Sequence, residues 1–227
     1  MDTNFKNQTR LLGLFLIVTL VFSSTSCMFK EGVRGNGIVE KETREVSSFN
    51  QLDISGTFNV FLSQGETESV TIEADNNIIP VIQTEVNDGK LSVKIENGVK
   101  ISKSKKSSVY ITINDINRLD FSGVGNLKCL TDLNLSKVDI SNSGVGNMEL
   151  KGSAQSSNIH NSGVGNLKAS EFVVQKLTVS NAGVGNVEIH AVEALSMSNS
   201  GVGNVSYRGD ASIKEIQSSG VGKIVKK

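Results

Sequence analysis

Few side chains in this sequence are equipped for chemistry. There are two histidines, His160 and His190, two cysteines, Cys27 and Cys129, two tyrosines, Tyr110 and Tyr207, and no tryptophan. An imidazole pair could hold a transition metal, provided that both rings converge. A thiol could act as a nucleophile where its pKa is depressed. Glycosidic chemistry would need carboxylates, or a carboxylate beside Lys or Arg, clustered on one face, together with aromatic platforms for sugar rings. The glycine-rich pentapeptides of the second half could cradle a phosphate, but no third glycine stands at the dinucleotide position. The calcium-binding nonapeptide needs Gly-Gly and an Asp in every turn, whereas Asn or Lys follows the second glycine here. No Gly-x-Ser-x-Gly nucleophile turn occurs, and Arg208-Gly209-Asp210 is read as a polar turn between strands.

The elements that must position these residues are set by that pentapeptide. Ser-Gly-Val-Gly-Asn occupies 122–126, 143–147, 162–166 and 200–204, with close copies at 182–186 and 219–223. The first glycines, Gly123, Gly144, Gly163, Gly183, Gly201 and Gly220, are separated by 21, 19, 20, 18 and 19 residues. The second glycines are Gly125, Gly146, Gly165, Gly185, Gly203 and Gly222. A fixed period near twenty signals stacked structural units. Four residues before each marker lie Leu119, Ile140, Ile159, Val179, Met197 and Ile216, and the next column is polar throughout. Four residues after it lie Leu127, Met148, Leu167, Val187, Val205 and Ile224, again followed by a mostly polar column. Period-two alternation of this kind makes strands with one buried face. Each repeat is therefore a short strand, a Gly-Val-Gly corner, a second short strand and a variable return of about eight residues. The fold expected is all-β: a parallel β-helix with about 19–20 residues per rung. Rungs about 4.8 Å apart would make six repeats a rod segment on the order of 29 Å long.

The columns also assign the chemical residues. Cys129 falls in the apolar column six after its marker, as a small buried hydrophobe. His160 and His190 fall in different columns, so both rings are expected outward on different faces. Asp120 and Asp139 likewise occupy different columns. Two asparagine series recur: Asn142, Asn161, Asn181 and Asn199 two before the marker, and Asn126, Asn147, Asn166, Asn186 and Asn204 three after it. Stacked at strand spacing, such amides hydrogen-bond from rung to rung or satisfy turn backbone, a structural duty. A polar strip that bonds a glycan or peptide is the functional alternative. No metal site and no cofactor is expected.

The N-terminus reads as an export signal. Lys6 and Arg10 precede the charge-free run Leu11 to Phe22, which is too short to span a bilayer and suits a signal-peptide core. Ser24, Thr25, Ser26 and Cys27 then resemble the lipobox of bacterial lipoproteins, in which the cysteine is acylated. The organisation expected is a lipoprotein signal peptide over 1–26, a tether over 27–37 beginning at acylated Cys27, and a single β-helical domain over 38–227. Basic and acidic residues are equal in number, 23 each, which argues against nucleic acid as a partner.

Residues 38–116 are less regular, as expected of a divergent capping region, because solenoid ends need atypical units. Leu52 to Leu62 can nevertheless be laid on Leu119 to Cys129, so Gly56 marks an early rung. Asn77 to Val86, which holds the only proline, Pro80, is read as a strand or a short helical turn that lids the stack. Lys100 to Lys106 carries four lysines and is read as a solvated loop.

Phe49-Asn50-Gln51-Leu52-Asp53-Ile54-Ser55-Gly56, then Val60-Phe61-Leu62, Gly65, Val70 to Asn77, Leu91-Ser92-Val93 and the train of Ser-Gly-Val-Gly-Asn repeats together resemble the head GIN domain family of autotransporter-adhesin-like proteins common in Bacteroidetes. The resemblance covers roughly residues 38–223. It implies a right-handed β-helix and an exported location. The function expected is that of a non-enzymatic cell-envelope lipoprotein, anchored to the outer membrane and acting by surface binding or scaffolding, on the periplasmic or the surface face. A polysaccharide lyase or hydrolase is the alternative. The partners expected are the membrane through its lipid, a glycan or protein on the rod surface, and a second rod.

Overall fold

The computed structural model describes residues 32–227. The expected signal peptide and Cys27 lie outside the described residues. Alternating apolar residues form strands here, and those strands stack in parallel. Leu119 pairs with Ile140, Ile140 with Ile159, Ile159 with Val179, Val179 with Met197 and Met197 with Ile216. Beyond the corner, Leu127 pairs with Met148, and the line continues through Leu167, Val187, Val205 and Ile224. The corners are bridged as well, from Thr57 through Val124, Val145, Val164, Val184 and Val202 to Val221. This is the parallel β-solenoid that the columns require.

Two faces of the stack meet at the corner line, and their inward columns form one continuous core. Leu119, Leu127, Met148, Ile159, Leu167 and Val187 are all buried. The return stretches, expected as variable connections, are strand too. Met148–Asn161, Leu167–Asn181 and Val187–Asn199 each run from one corner to the next without a break. They do so because they carry a third apolar row, in which Val138, Ser157, Leu177 and Leu195 are in register and buried. Differences in repeat length are taken up in register shifts between Glu149 and Lys151 and between Ala169 and Val173. A bulge of this kind absorbs an extra residue while preserving the pairing on either side.

Gly56 does mark an early corner: Leu52 pairs with Leu119 and Val60 with Leu127. One further layer follows, with Lys90–Ile95 parallel to Gln51–Ser55 and Ser107–Ile113 parallel to Asn59–Gln64. Strand direction then reverses. Ile82–Asn87 covers the first face, and Ser69–Asp75 followed by Val39–Arg44 covers the second, all antiparallel. The Pro80 segment is both of the expected forms in succession, a 3-10 turn over Ile79–Val81 and then the strand from Ile82. Ile78, Ile79 and Ile82 are buried beneath it, which closes this end of the core.

The lysine segment is more constrained than a solvated loop. Ile101–Lys103 pairs with Val33–Arg34, and the backbone N–H groups of Lys105 and Lys106 donate to Asp75 Oδ2 at 2.7 and 3.3 Å. Gly37 N–H donates to Asp75 Oδ1. Asp75 is fully buried, so the carboxylate is the latch that ties residues 35–37 and the lysine loop to the end of the solenoid. Its partners are some thirty to forty residues distant, beyond the reach of any local pattern.

Candidate binding surface

The corner has a steric origin. At the first glycine, space is short: a Cβ on Gly163 would sit 2.5 Å from the carbonyl oxygen of Gly144 one rung below. At the second, the backbone angle is also closed to other residues, with φ of 136° at Gly146, Gly165, Gly185 and Gly203, 141° at Gly125 and 138° at Gly222. Two glycines with no side chain let successive corners approach at full strand contact. The valine between them has nowhere to go but outward. Val124, Val145, Val164, Val184 and Val202 are 49–51% exposed, and Val221 is 70% exposed. Stacked one per rung, about 4.8 Å apart, they form an unbroken apolar line on the outside of the solenoid.

The two asparagine series separate here into an inner and an outer ladder. Asn142, Asn161, Asn181 and Asn199 are buried, and each Nδ2 of the first three donates to the next Oδ1 at 2.7 Å. The ladder starts after Phe121, which takes the column in the first repeat, and stops at Ser218, which pairs with Asn199. Asn199 Nδ2 is consequently buried without a partner. The outer amides work on the backbone. Asn126 Oδ1 accepts from Asn147 N–H, Asn147 from Asn166, Asn166 from Asn186, Asn186 from Asn204 and Asn204 from Lys223, at 2.9–3.1 Å. This ladder starts one rung earlier than the pentapeptides, with Asn59 Oδ1 accepting from Asn126 N–H at 2.9 Å. In the overlay of 52–62 on 119–129, Asn59 falls on Asn126, so this earlier start of the ladder is legible in the sequence.

The candidate surface is therefore the corner line: a valine stripe, the outer asparagines along one side, and mostly exposed Ser122, Ser143, Ser162, Ser200 and Ser219 along the other. Beside the asparagines runs a column in which Lys128, Glu149, Lys168 and Glu188 alternate in register. Lys128 and Glu149 pair at 3.4 Å. Valine, amide and hydroxyl bind and do not titrate, so the line is built for contact over a length rather than for proton transfer.

The residues with chemical capacity are dispersed. His160 is exposed, and His190 places Nδ1 3.2 Å from the Ser170 carbonyl oxygen, in a different column. Among the described residues no group of three His, Cys, Asp or Glu side chains is placed to hold a metal. Cys129 is 1% exposed, and burial pushes its thiol up to about 11, the reverse of nucleophile activation. The overlay of 52–62 on 119–129 sets Asp53 on Asp120, and the two are indeed register partners on neighbouring rungs, beside a polar cleft of about 600 Å³ that includes Lys90, Arg118, Lys137 and Asp139. Arg118 donates to both oxygens of Asp120, at 2.6 and 3.1 Å, so the carboxylate best placed for acid–base work is already engaged.

A chain whose repeated residues build a core, a glycine corner and an outward line of valines on parallel stacked strands belongs to the class of β-solenoids. More specifically, the chain belongs to the head GIN domain family: the family described as "Putative auto-transporter adhesin, head GIN domain" matches residues 48–211. A crystal structure of a "putative adhesin" from Bacteroides fragilis is 27% identical and superposes with a TM-score of 0.73, covering 86% of this chain and all of the other. A "putative lipid binding protein" from Parabacteroides distasonis shares the fold at 18% identity and a TM-score of 0.54, over 86% of this chain and all of its own. No curated protein matches the sequence.

Proposed function

We propose that this protein is a non-enzymatic, adhesin-like lipoprotein of the cell envelope, held to the membrane through Cys27, whose corner line binds an extended ligand. The observation that carries the reading is the valine stripe. Apolar side chains held half exposed or more at six successive corners have no role in the core, and a contiguous apolar strip of this kind marks an interaction site. The adhesin description of the B. fragilis structure supports the same reading.

The test is a screen of the full chain against envelope glycans and host matrix proteins, run beside a reducing-end assay on acidic polysaccharides. Retention of a ligand without chain cleavage is expected. Depolymerisation would instead assign the Asp53–Asp120 face to a polysaccharide-degrading enzyme. Incorporation of labelled palmitate, abolished by Cys27→Ala, tests the anchor, and protease shaving of intact cells tests the exposed leaflet.

A further inference from the structure

The corner line does not run out onto a plain surface at its capped end. At Thr57 and Val124 it meets a cavity of about 560 Å³, within the roughly 300–1,000 Å³ range of small-ligand sites. The floor is the first corner, with Asn59 and Gly125; the wall is the lysine loop. Among the residues that line it, every charged one is a lysine: Lys103, Lys105 and Lys106. The remainder is rich in hydroxyl groups, together with Phe61, which stacks on Tyr110 with ring centroids 4.9 Å apart and planes inclined by 18°.

The wall is fixed in place before any ligand arrives. Asp75 holds the backbone of Lys105 and Lys106, Val33 N–H and Gly35 N–H donate to the Lys100 and Lys103 carbonyls at 2.7 Å, and Ser107 Oγ donates to the Thr57 carbonyl at 3.1 Å. Lys106 Nζ is oriented by Glu73 at 3.0 Å, which also accepts from the Tyr110 hydroxyl at 2.9 Å. A loop strapped at four points costs little ordering entropy on binding, which is how preorganised sites gain affinity. Of the three lysines only Lys106 has a carboxylate at ion-pair distance among the described residues, Glu73, so the exposed Lys103 and Lys105 ammonium groups favour an anion, and surrounding hydroxyl and amide groups beside an aromatic ring favour a polyol over a bare ion.

We propose that the cavity between the lysine loop and the first corner binds the carboxylated residue of an acidic saccharide, whose chain then continues along the valine and asparagine line. This deepens the binding reading above and rests on it. The ligand class is a uronate-type sugar, and the loop and the line contribute separately to its capture.

The experiment is calorimetric titration of the full chain with a galacturonate trisaccharide, its carboxyl-reduced galactose counterpart and a glutamate tripeptide. The galacturonate is expected to bind at least tenfold more tightly than either of the others, with affinity falling as salt rises. Lys103→Gln/Lys105→Gln, two exposed side chains, is expected to weaken it about tenfold with an unchanged melting temperature. Val164→Asp/Val184→Asp is expected to leave the trisaccharide unaffected while weakening retention of the long ligand in the screen by about tenfold. Equal binding of the reduced sugar, equal binding of the glutamate peptide, no uronate binding, or indifference to the lysine substitutions would each overturn the proposal. If the valine variant still weakens retention of the long ligand in those cases, the adhesin reading stands without the uronate site; if the valine variant also leaves retention unchanged, both readings fall.

Discussion

Asn161 shows how a single amide is used. Its side chain accepts from Asn142 and donates to Asn181, both at 2.7 Å in a site closed to water. Replacing it leaves a buried donor on one neighbour and an underused acceptor on the other. Asn161→Ala is expected to cost about 2–4 kcal/mol, because unsatisfied buried polar groups cost more than a bond contributes. Asn166→Ala, in the outer ladder where water can substitute, should cost about 1 kcal/mol or less. Urea unfolding of the two variants compares them. Ser218→Asn supplies the acceptor that Asn199 Nδ2 lacks and should raise the unfolding free energy by about 0.5–1.5 kcal/mol in the same measurement. Asp75 makes a pH-dependent contribution. Burial raises its carboxyl pKa, but the N–H donors of Lys105, Lys106 and Gly37 outweigh burial and hold it below the usual 3.8. A depressed carboxyl stabilises the fold above its unfolded pKa and loses that contribution as pH falls through the folded value. Melting temperature should thus decline below about pH 4, and more shallowly in Asp75→Asn. The split between ladders could have been read from parity, since Asn142 lies two residues after inward Ile140 and Asn147 one residue before inward Met148. The Asp75 latch could not, because a lone acid ending a strand looks like any solvated carboxylate until the loop that covers it is in place.

At the scale of the element, the corner dominates. Gly165→Ala must accommodate both a φ of 136° and a Cβ 2.1 Å from the Gly146 carbonyl oxygen, so either the corner opens or the rung separates. A loss above about 3 kcal/mol is expected, as for other strained backbone substitutions combined with a steric clash. Val164→Asp, at the outward residue between the two glycines, should shift stability by less than about 0.5 kcal/mol, the ordinary effect of a surface change. Thermal unfolding of the pair separates a packing position from a contact position one residue away. Corners and paired strands were legible because their residues recur in fixed columns, whether at Gly123 or at Gly220. The cap was not. Antiparallel Ser69–Asp75 and Ile82–Asn87 alternate with the same period as parallel Lys90–Ile95, and nothing in a period-two pattern records which way the neighbour runs. The continuous strand through each return was hidden for another reason: its inward row mixes Val138, Ser157, Leu177 and Leu195, a line in which serine interrupts the apolar signal.

The whole molecule distributes its contact surface over many equivalent rungs. From Val145 onward no corner is deeper or more polar than the next, so the affinity a long ligand gains along this part of the line should be shared among the corners, with the first corner and its lysine-walled cavity contributing separately. Each half-exposed valine that a ligand covers contributes about 0.5–1 kcal/mol, a two- to fivefold factor in affinity. The most direct measurement is the affinity of the full chain for the ligand retained in the screen, followed as Val145, Val164 and Val184 are replaced by serine one, two and three at a time. The account predicts a stepwise weakening by a similar factor at each replacement, with melting temperatures unchanged. Affinity that ignores all three substitutions, in protein that remains folded, would contradict it.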